Sequence, residues 1–262
     1  SKKKIFIQGD NGSGKTSILE SIELLMNGRS FRTSKSKDCI NHESDNFQIS
    51  LKGSYNEQEI IFKSTNKHSG RIGFSRKLND KTITKGSVFF LQTLLAKNFR
   101  MIEGEPDLRR EHINNLMFHV KPDSYKAYMA YNRALRQRNR CLKQKISTSE
   151  ISSWTKNLAN IGVSLSKQQY DFFNNFKKEV MGGLALIAKN EEVNFLNNAD
   201  LRFDKGWVRS EALLTALQNS IEKDYALGYT SLGPHRMDCK YYIKGKRAAS
   251  VLSRGQSKLL II

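Results

Sequence analysis

The chain has 262 residues, with 44 Lys and Arg against 25 Asp and Glu, for a net charge of +19. At 38% hydrophobic and 26% charged it reads as globular, and it is long enough for one large domain or two small ones. No apolar run approaches the roughly 18 residues of a membrane span. The three scattered cysteines, Cys39, Cys141 and Cys239, form neither a disulfide framework nor a metal cluster, so a reducing cytoplasm is expected, and the charge points either to a polyanionic partner or to the compositional bias of an AT-rich genome.

Residues Ile5 to Ile7 form a short apolar run that leads into a glycine-rich loop, which predicts a buried strand. Ile18, Leu19, Ile22, Leu25 and Met26 follow helical spacing, and Asn27-Gly28 supplies a stop. Segments 47–52, 58–63, 70–76 and 87–91 read as strands. From about residue 99 to 225 helical periodicity dominates, with a Ser/Thr-rich stretch at 146–160 as a turn between helices. Strand texture returns at 238–243. The expected fold class is α/β, a head with a mixed sheet and helices, carrying an inserted α-helical lobe. The division is 1–98, 99–225 and 226–262. Residue 1 is Ser and the chain stops inside the apolar run Leu259-Leu260-Ile261-Ile262, so it reads as an internal fragment.

The strongest motif is Gly9-Asp10-Asn11-Gly12-Ser13-Gly14-Lys15-Thr16, a full match to the phosphate-binding pattern G-x-x-x-x-G-K-[ST]. Glycines let the backbone turn its N–H groups toward phosphate oxygens, and a helix N-terminus adds partial positive charge. Lys15 is expected on the β/γ-phosphates, and the Thr16 hydroxyl on Mg²⁺. Ser17, next on the helix start, is expected to bind the nucleotide together with Gly9 to Thr16. ATP and Mg²⁺ are the expected cofactors.

Near the other end stands Leu252-Ser253-Arg254-Gly255-Gln256. Ser253 and Gln256 make a capping box for a following helix. The same five residues resemble the signature of ABC-type ATPases, with Arg254 in place of its first glycine. In that reading Ser253, Gly255 and Gln256 contact nucleotide held by a second copy, and Lys15 and Ser253 act on the γ-phosphate.

The charge is not uniform. Residues 1–85 carry +7, 126–145 carry +7 with no acid, 226–262 carry +6, and the rest is close to neutral. Within 126–145, Lys126, Arg133, Arg136, Arg140 and Lys143 fall on one helical stripe, with Tyr128, Tyr131, Leu135 and Leu142 roughly opposite. The stripe is either a DNA-binding rail, holding backbone phosphates without base readout, or a solvated face. Arg29 and Arg32 could reach nucleotide or DNA, or line a solvated turn. Tyr125, Tyr128 and Tyr131 read as packing residues.

Several islands in order along the chain resemble the RecF family of recombination mediators. They are Gly12 to Ser17, Leu19-Glu20, Gly28 to Arg32, Gly104, Pro106, Arg109-Arg110, Phe118-His119, Pro122, Gln137-Arg138-Asn139, Gly233-Pro234-His235-Arg236 with Asp238, and Leu252 to Gln256. The resemblance implies a cytoplasmic P-loop ABC-type ATPase head of the SMC/Rad50 kind. It implies an ATP-dependent homodimer on double-stranded or gapped, single-stranded DNA. It also implies RecO and RecR as partners, RecA loading, a place in repair and the SOS response, and no membrane. In that family a Walker B strand with the catalytic carboxylate lies beyond the position of Ile262, so hydrolysis is expected of the whole protein and not of this chain. Gln92 is a candidate Mg²⁺-sensing ligand. Ala96-Lys97 stands where the family often has Pro-Glu. The alternatives are another SMC/Rad50-like or OLD-type head, or a non-hydrolysing DNA-binding scaffold.

Overall fold

The structure, a computed structural model, describes residues 4–33, 35–55, 57–67, 72–82, 91, 93, 98, 100–104 and 106–261. The expected strand at 87–91 lies almost wholly outside the described residues, and Gln92 and Ala96-Lys97 lie outside them altogether. Contacts divide the chain into two compact units, residues 1–93 and 94–262. Among the described residues no helix is long and apolar enough to cross a membrane.

In the first unit, helix α1 (Lys15–Asn27) is followed by an antiparallel sheet of β1 (Asn46–Tyr55), β2 (Gln58–Lys67), β3 (Ile72–Leu78) and β4 (Lys81–Thr82), in that order. Alternation puts Ile60 and Phe62 of β2 on one face, where they pack with Leu25 and Met26 of α1 and with Ile49, Leu51 and Leu78. Gly28 ends the helix at φ 73°, its N–H returning to the Leu24 carbonyl 3.0 Å away. The Arg76 guanidinium donates to the Leu25 carbonyl at 2.8 Å, placing a cation at the negative end of the helix dipole.

Two expectations for this unit differ from the structure. Residues 5–7 are not a strand: Ile5 and Phe6 are 84% and 88% exposed. No strand pairs with them among the described residues, and an apolar run without ladder partners does not form a strand. On α1, Ile18 and Leu19 are exposed while Glu20 and Glu23 are buried. The reason is polar: Glu23 accepts from Asn27 Nδ2 at 2.8 Å and from the Thr93 hydroxyl, and Glu20 accepts from Ser30 and Arg32.

The second unit contains α2 (Arg100–Glu103), α3 (Pro106–Val120), α4 (Asp123–Lys143) and α5 (Thr148–Ile187). It continues with β5 (Ala199–Asp204), α6 (Leu213–Asn219), α7 (Ile221–Leu227), β6 (Asp238–Ile243), β7 (Lys246–Arg247), α8 (Ala248–Val251) and α9 (Arg254–Ile261). The turn between α4 and α5 falls at 144–147, at the start of the Ser/Thr-rich stretch. Ser147 caps the 40-residue α5 by accepting from the Glu150 N–H. The main core joins Ile113 and Met117 of α3, Tyr131 of α4, and Leu158, Leu165 and Phe173 of α5 to Leu201 and Phe203 of β5. Each such side chain contributes about 1.5–3 kcal/mol when fully buried. At Gly162 of α5 a Cβ would stand 2.6 Å from Leu213 Cδ2 and 3.1 Å from Tyr131 Cε2, so glycine lets both side chains close on the helix without shifting. A second cluster gathers Ile102, Leu184, Leu196, Ile243, Ala248 and Leu260.

Strand β5 was not expected. Its six residues pair antiparallel with β6, Leu201 opposite Tyr241 and Phe203 opposite Cys239. The partner lies some 40 residues on, beyond the reach of a local pattern.

Buried ion pairs fasten this unit. Arg109 of α3 grips Asp238 at the start of β6 through Nε–Oδ1 and Nη2–Oδ2 contacts of 2.7 and 3.1 Å. Its remaining nitrogen donates to the Met101 and Gly104 carbonyls. Arg138 of α4 donates to Asp224 Oδ2 and Thr230 Oγ1, both at 2.7 Å, and to Thr155 Oγ1 at 3.1 Å. These pairs account for several of the motif residues: Arg109, Arg138 and Asp238 are framework, as is Asn139, which accepts from the Thr230 N–H and hydroxyl.

Candidate nucleotide site and basic helix face

The loop before α1 has the geometry of an anion cradle. Gly12 and Gly14 adopt φ of 86° and 87°, a left-handed conformation that costs other residues roughly 1–2 kcal/mol. Gly14 is the N-cap of α1, with no side-chain cap and no acidic residue in the first turn. The helix start therefore keeps its N–H groups and partial positive charge for a ligand. Lys15 Nζ donates to the Gly9 and Asp10 carbonyls at 2.7 and 2.5 Å, with Ser13 Oγ at 3.5 Å. The lysine thus curls over the loop, its charge satisfied by carbonyl dipoles that a phosphate would outbid.

An open cavity of about 540 Å³ is lined by Asn11, Gly12, Ser13, Gly14, Lys15, Thr16, Ser17 and Arg32. Six of the expected loop residues from Gly12 to Ser17 thus face one space with Asn11, while Gly9 and Asp10 hold the lysine. The exposed Thr16 hydroxyl carries the hard oxygen donor that Mg²⁺ takes. Spacing alone did not assign Arg32. Its guanidinium lies 3.4 Å from Glu20, and Ser30 Oγ both donates to Glu20 and accepts from the Arg32 and Thr33 N–H groups. The signal available in sequence was the Gly28 to Arg32 island. The buried Glu20 that aims it reads as a surface residue. The Cys39 thiol is pushed up by burial and by the neighbouring Glu20 charge.

Ser253, Gly255 and Gln256 belong to the second unit. The capping box is formed: the Ser253 N–H donates to Gln256 Oε1 at 3.0 Å, and the Gln256 N–H donates to Ser253 Oγ at 3.2 Å. Ser253, Arg254 and Gly255 are exposed, so the hydroxyl and the glycine backbone stand open at the start of α9.

On α4, Lys126, Arg133, Arg136, Arg140 and Lys143 lie on the side away from the core, and all five are exposed. Tyr131 and Leu142 are buried, and Tyr128 and Leu135 pack partly against the core. Lys126 pairs with Asp123 at 3.0 Å, both exposed, a contact of little strength in water. Arg138, another cation of this segment, is fully buried, so part of its +7 is unavailable to any partner. Tyr128 packs at a tilt on Phe118 at 5.1 Å, while Tyr125 meets the same ring edge-on at 5.3 Å and stays half exposed.

His235 sits in the Gly233-Pro234-His235-Arg236 turn. Its Nε2 contacts the Thr230 carbonyl at 3.0 Å and its Nδ1 contacts the Tyr131 hydroxyl at 2.8 Å. A carbonyl only accepts, so Nε2 carries the proton and Tyr131 donates to Nδ1. Burial lowers its pKa to about 4. It is a neutral tie between α4 and the turn.

A family model for an AAA domain matches residues 1–225. The DNA replication and repair protein RecF of Pseudoalteromonas translucida is 30% identical over 259 residues, covering 97% of this chain and 70% of that protein. RecF of Pseudoalteromonas atlantica is 34% identical over 273 residues, covering 98% and 70%. The chain belongs to the RecF family. A solved structure of the recombination mediator RecF with ATP, from the RecFOR pathway, aligns with a TM-score of 0.77 at 22% identity, covering 96% of this chain and 70% of that one. The fold is therefore that of the α/β P-loop ATPase head of RecF proteins, as the motifs implied.

Proposed function

We propose that the chain is the ATP-binding, DNA-binding part of a RecF-type repair protein. The observation that carries this reading is the phosphate loop, with left-handed glycines, an uncapped helix start and Lys15 over one cavity. The relatives' role in DNA replication and repair and the ATP in the structural neighbour support it.

In this reading Lys15 leaves the Gly9 and Asp10 carbonyls for the β/γ-phosphates, and the loop N–H groups bind phosphate oxygens. The Thr16 hydroxyl would hold Mg²⁺, which neutralises phosphate charge when bound. Arg32 adds a second cation at the cavity's edge. Ser253, Gly255 and Gln256 serve nucleotide bound by a second copy, giving an ATP-dependent homodimer. Residues 1–98 and 226–262 supply the head, and 99–225 the helical lobe. The rail Lys126, Arg133, Arg136, Arg140 and Lys143 holds DNA by its backbone. The whole protein works in the cytoplasm with RecO and RecR at gapped DNA, promotes RecA loading, contributes to the SOS response, and hydrolyses ATP.

The test is sedimentation of the whole protein with and without ATP and Mg²⁺. Lys15→Ala should stay monomeric at ATP concentrations that dimerise the wild type. A Lys15→Ala protein that dimerises with ATP as readily as the wild type would remove the basis of this reading. For the rail, Arg133→Glu with Arg136→Glu and Arg140→Glu should weaken duplex binding and flatten its salt dependence. An unchanged affinity and slope would leave the stripe a solvated face.

A further inference from the structure

The rail accounts for only one of the three basic segments, and a second built cationic surface lies on the sheet of the same unit. Residues 239–262 carry Lys and Arg side chains and no acidic residue. Three of these cations cluster at the hairpin between β6 and β7. Ile243 pairs with Lys246, leaving Lys244 and Gly245 as a two-residue turn at φ of 48° and 76°. The Lys244 N–H donates to the Asn198 carbonyl at 3.0 Å, so the backbone that carries these charges is tied to the chain ahead of β5.

The strand pairing gathers more charge beside it. Tyr242 lies opposite Asp200 of β5 and Arg247 of β7, and Arg202 lies opposite Lys240. These residues share the face away from Leu201 and Phe203, which enter the core. Tyr242 is a platform for two guanidiniums, with Arg202 Cζ 4.1 Å and Arg247 Cζ 5.7 Å from its ring centre. A guanidinium laid on an aromatic ring is oriented by it, yet its in-plane N–H groups stay free for an anion.

The charges do not cancel. Asp200 accepts from Lys177 and Arg202 at 2.5 and 3.1 Å, and Lys240 contacts Asp204 at 3.4 Å. Two carboxylates thus answer three cations. Lys244, Lys246 and Arg247 have no carboxylate partner among the described residues, and both lysines are exposed. Like charges held on a tied hairpin repel one another unless a polyanion joins them.

We propose that the β6–β7 hairpin, with Lys244, Lys246 and Arg247 beside the Tyr242–Arg202 stack, is a second nucleic-acid contact surface that grips the phosphodiester backbone of DNA. It rests on the DNA-binding reading of this family member but not on the α4 rail. Its partners are phosphates, so the surface adds affinity and salt dependence without sequence preference.

The experiment is fluorescence anisotropy of the whole protein, with ATP, on labelled duplex and single-stranded DNA across salt concentrations. Three forms are compared: wild type, Lys244→Glu with Lys246→Glu, and the rail triple. A Lys244→Ser, Lys246→Ser pair keeps the result readable should the reversal disturb the hairpin, with ATP-dependent dimerisation checking the fold. The hairpin reversal should weaken binding by roughly tenfold or more at about 0.1 M salt. It should lower the slope of log K against log salt by about 1.8 on duplex or about 1.4 on a single strand, because about two phosphates are then no longer neutralised. A strand preference identifies which DNA form the surface holds. A hairpin effect with an unaffected rail supports this surface and removes the rail. A rail effect with both hairpin pairs at wild-type affinity and slope overturns this proposal and leaves the rail standing. Unchanged DNA binding with weakened retention of polyglutamate overturns it in favour of an acidic protein partner. A wild type with no DNA affinity at low salt overturns both.

Discussion

Asp224→Ala tests the buried framework beneath the basic helix. Arg138 and Asp224 are both 0% exposed and meet at 2.7 Å. Removing the carboxylate leaves a guanidinium with neutral acceptors, Thr155, Thr230 and the Leu217 carbonyl, but no counter-charge. Breaking a buried pair in this way costs about 3–5 kcal/mol. The Ser231 N–H also loses its acceptor, Asp224 Oδ1 at 2.9 Å, at a further cost of about 1–3 kcal/mol where water cannot replace it. Even the lower end of the two together, about 4 kcal/mol, is a large part of the roughly 5–15 kcal/mol typical of a domain. Both tryptophans of the chain, Trp154 and Trp207, lie in the 94–262 unit, so their fluorescence in a urea titration reports on that unit. With a slope of about 2 kcal/mol per M, the midpoint should fall by roughly 2 M. Arg138→Met combined with Asp224→Ala should cost clearly less than the two single changes added together, because no charge is left stranded. A single-variant loss under about 1 kcal/mol, or strict additivity in the double variant, would refute the reasoning.

Three further outcomes are expected. Gly14→Ala forces alanine to φ 87°, a strain of about 1–2 kcal/mol, so ATP affinity by calorimetry should drop about 5- to 30-fold with the sheet intact; wild-type affinity would argue against the glycine-shaped cradle. His235, with its pKa lowered to about 4 by burial, is neutral when folded and takes up a proton more readily when unfolded. The stability it secures is complete above about pH 6.5 and is lost as pH falls toward about 4, on the order of 3 kcal/mol; an NMR titration of His235 with a midpoint near the ordinary histidine value would contradict this. Gly182 and Gly183 lie within α5 with nothing within 4 Å of an added Cβ, so each change to Ala should stabilise the unit by about 0.5–1 kcal/mol. Destabilisation in the urea titration would show that the glycines serve a packing need.

Much of the candidate site was legible because its chemistry is local. The phosphate loop needs glycines, a lysine and a hydroxyl at set spacings within one short segment, and the capping box needs two residues one helical turn apart. The basic stripe of α4 was legible from its helical period, and its five cations share the exposed side. Arg32 was left open between nucleotide, DNA and a solvated turn, because its place depends on a buried Glu20, and carboxylates are seldom buried. Residues 5–7 misled because an apolar run carries no record of its ladder partners.

The sequence alone determined the phosphate loop, the start of α9, the two sides of α4 and the family, since each is written in neighbouring residues or in ordered motifs. Only the tertiary structure decided that Arg138 is framework while Arg133, Arg136 and Arg140 stay on the outer side of the helix. It also decided that Arg202 and Arg247 meet on Tyr242. The physical reason is the same in both cases. A cation's role is set by whether a carboxylate or an aromatic ring from a distant segment reaches it, and strand pairing or core packing, not spacing along the chain, brings that segment there.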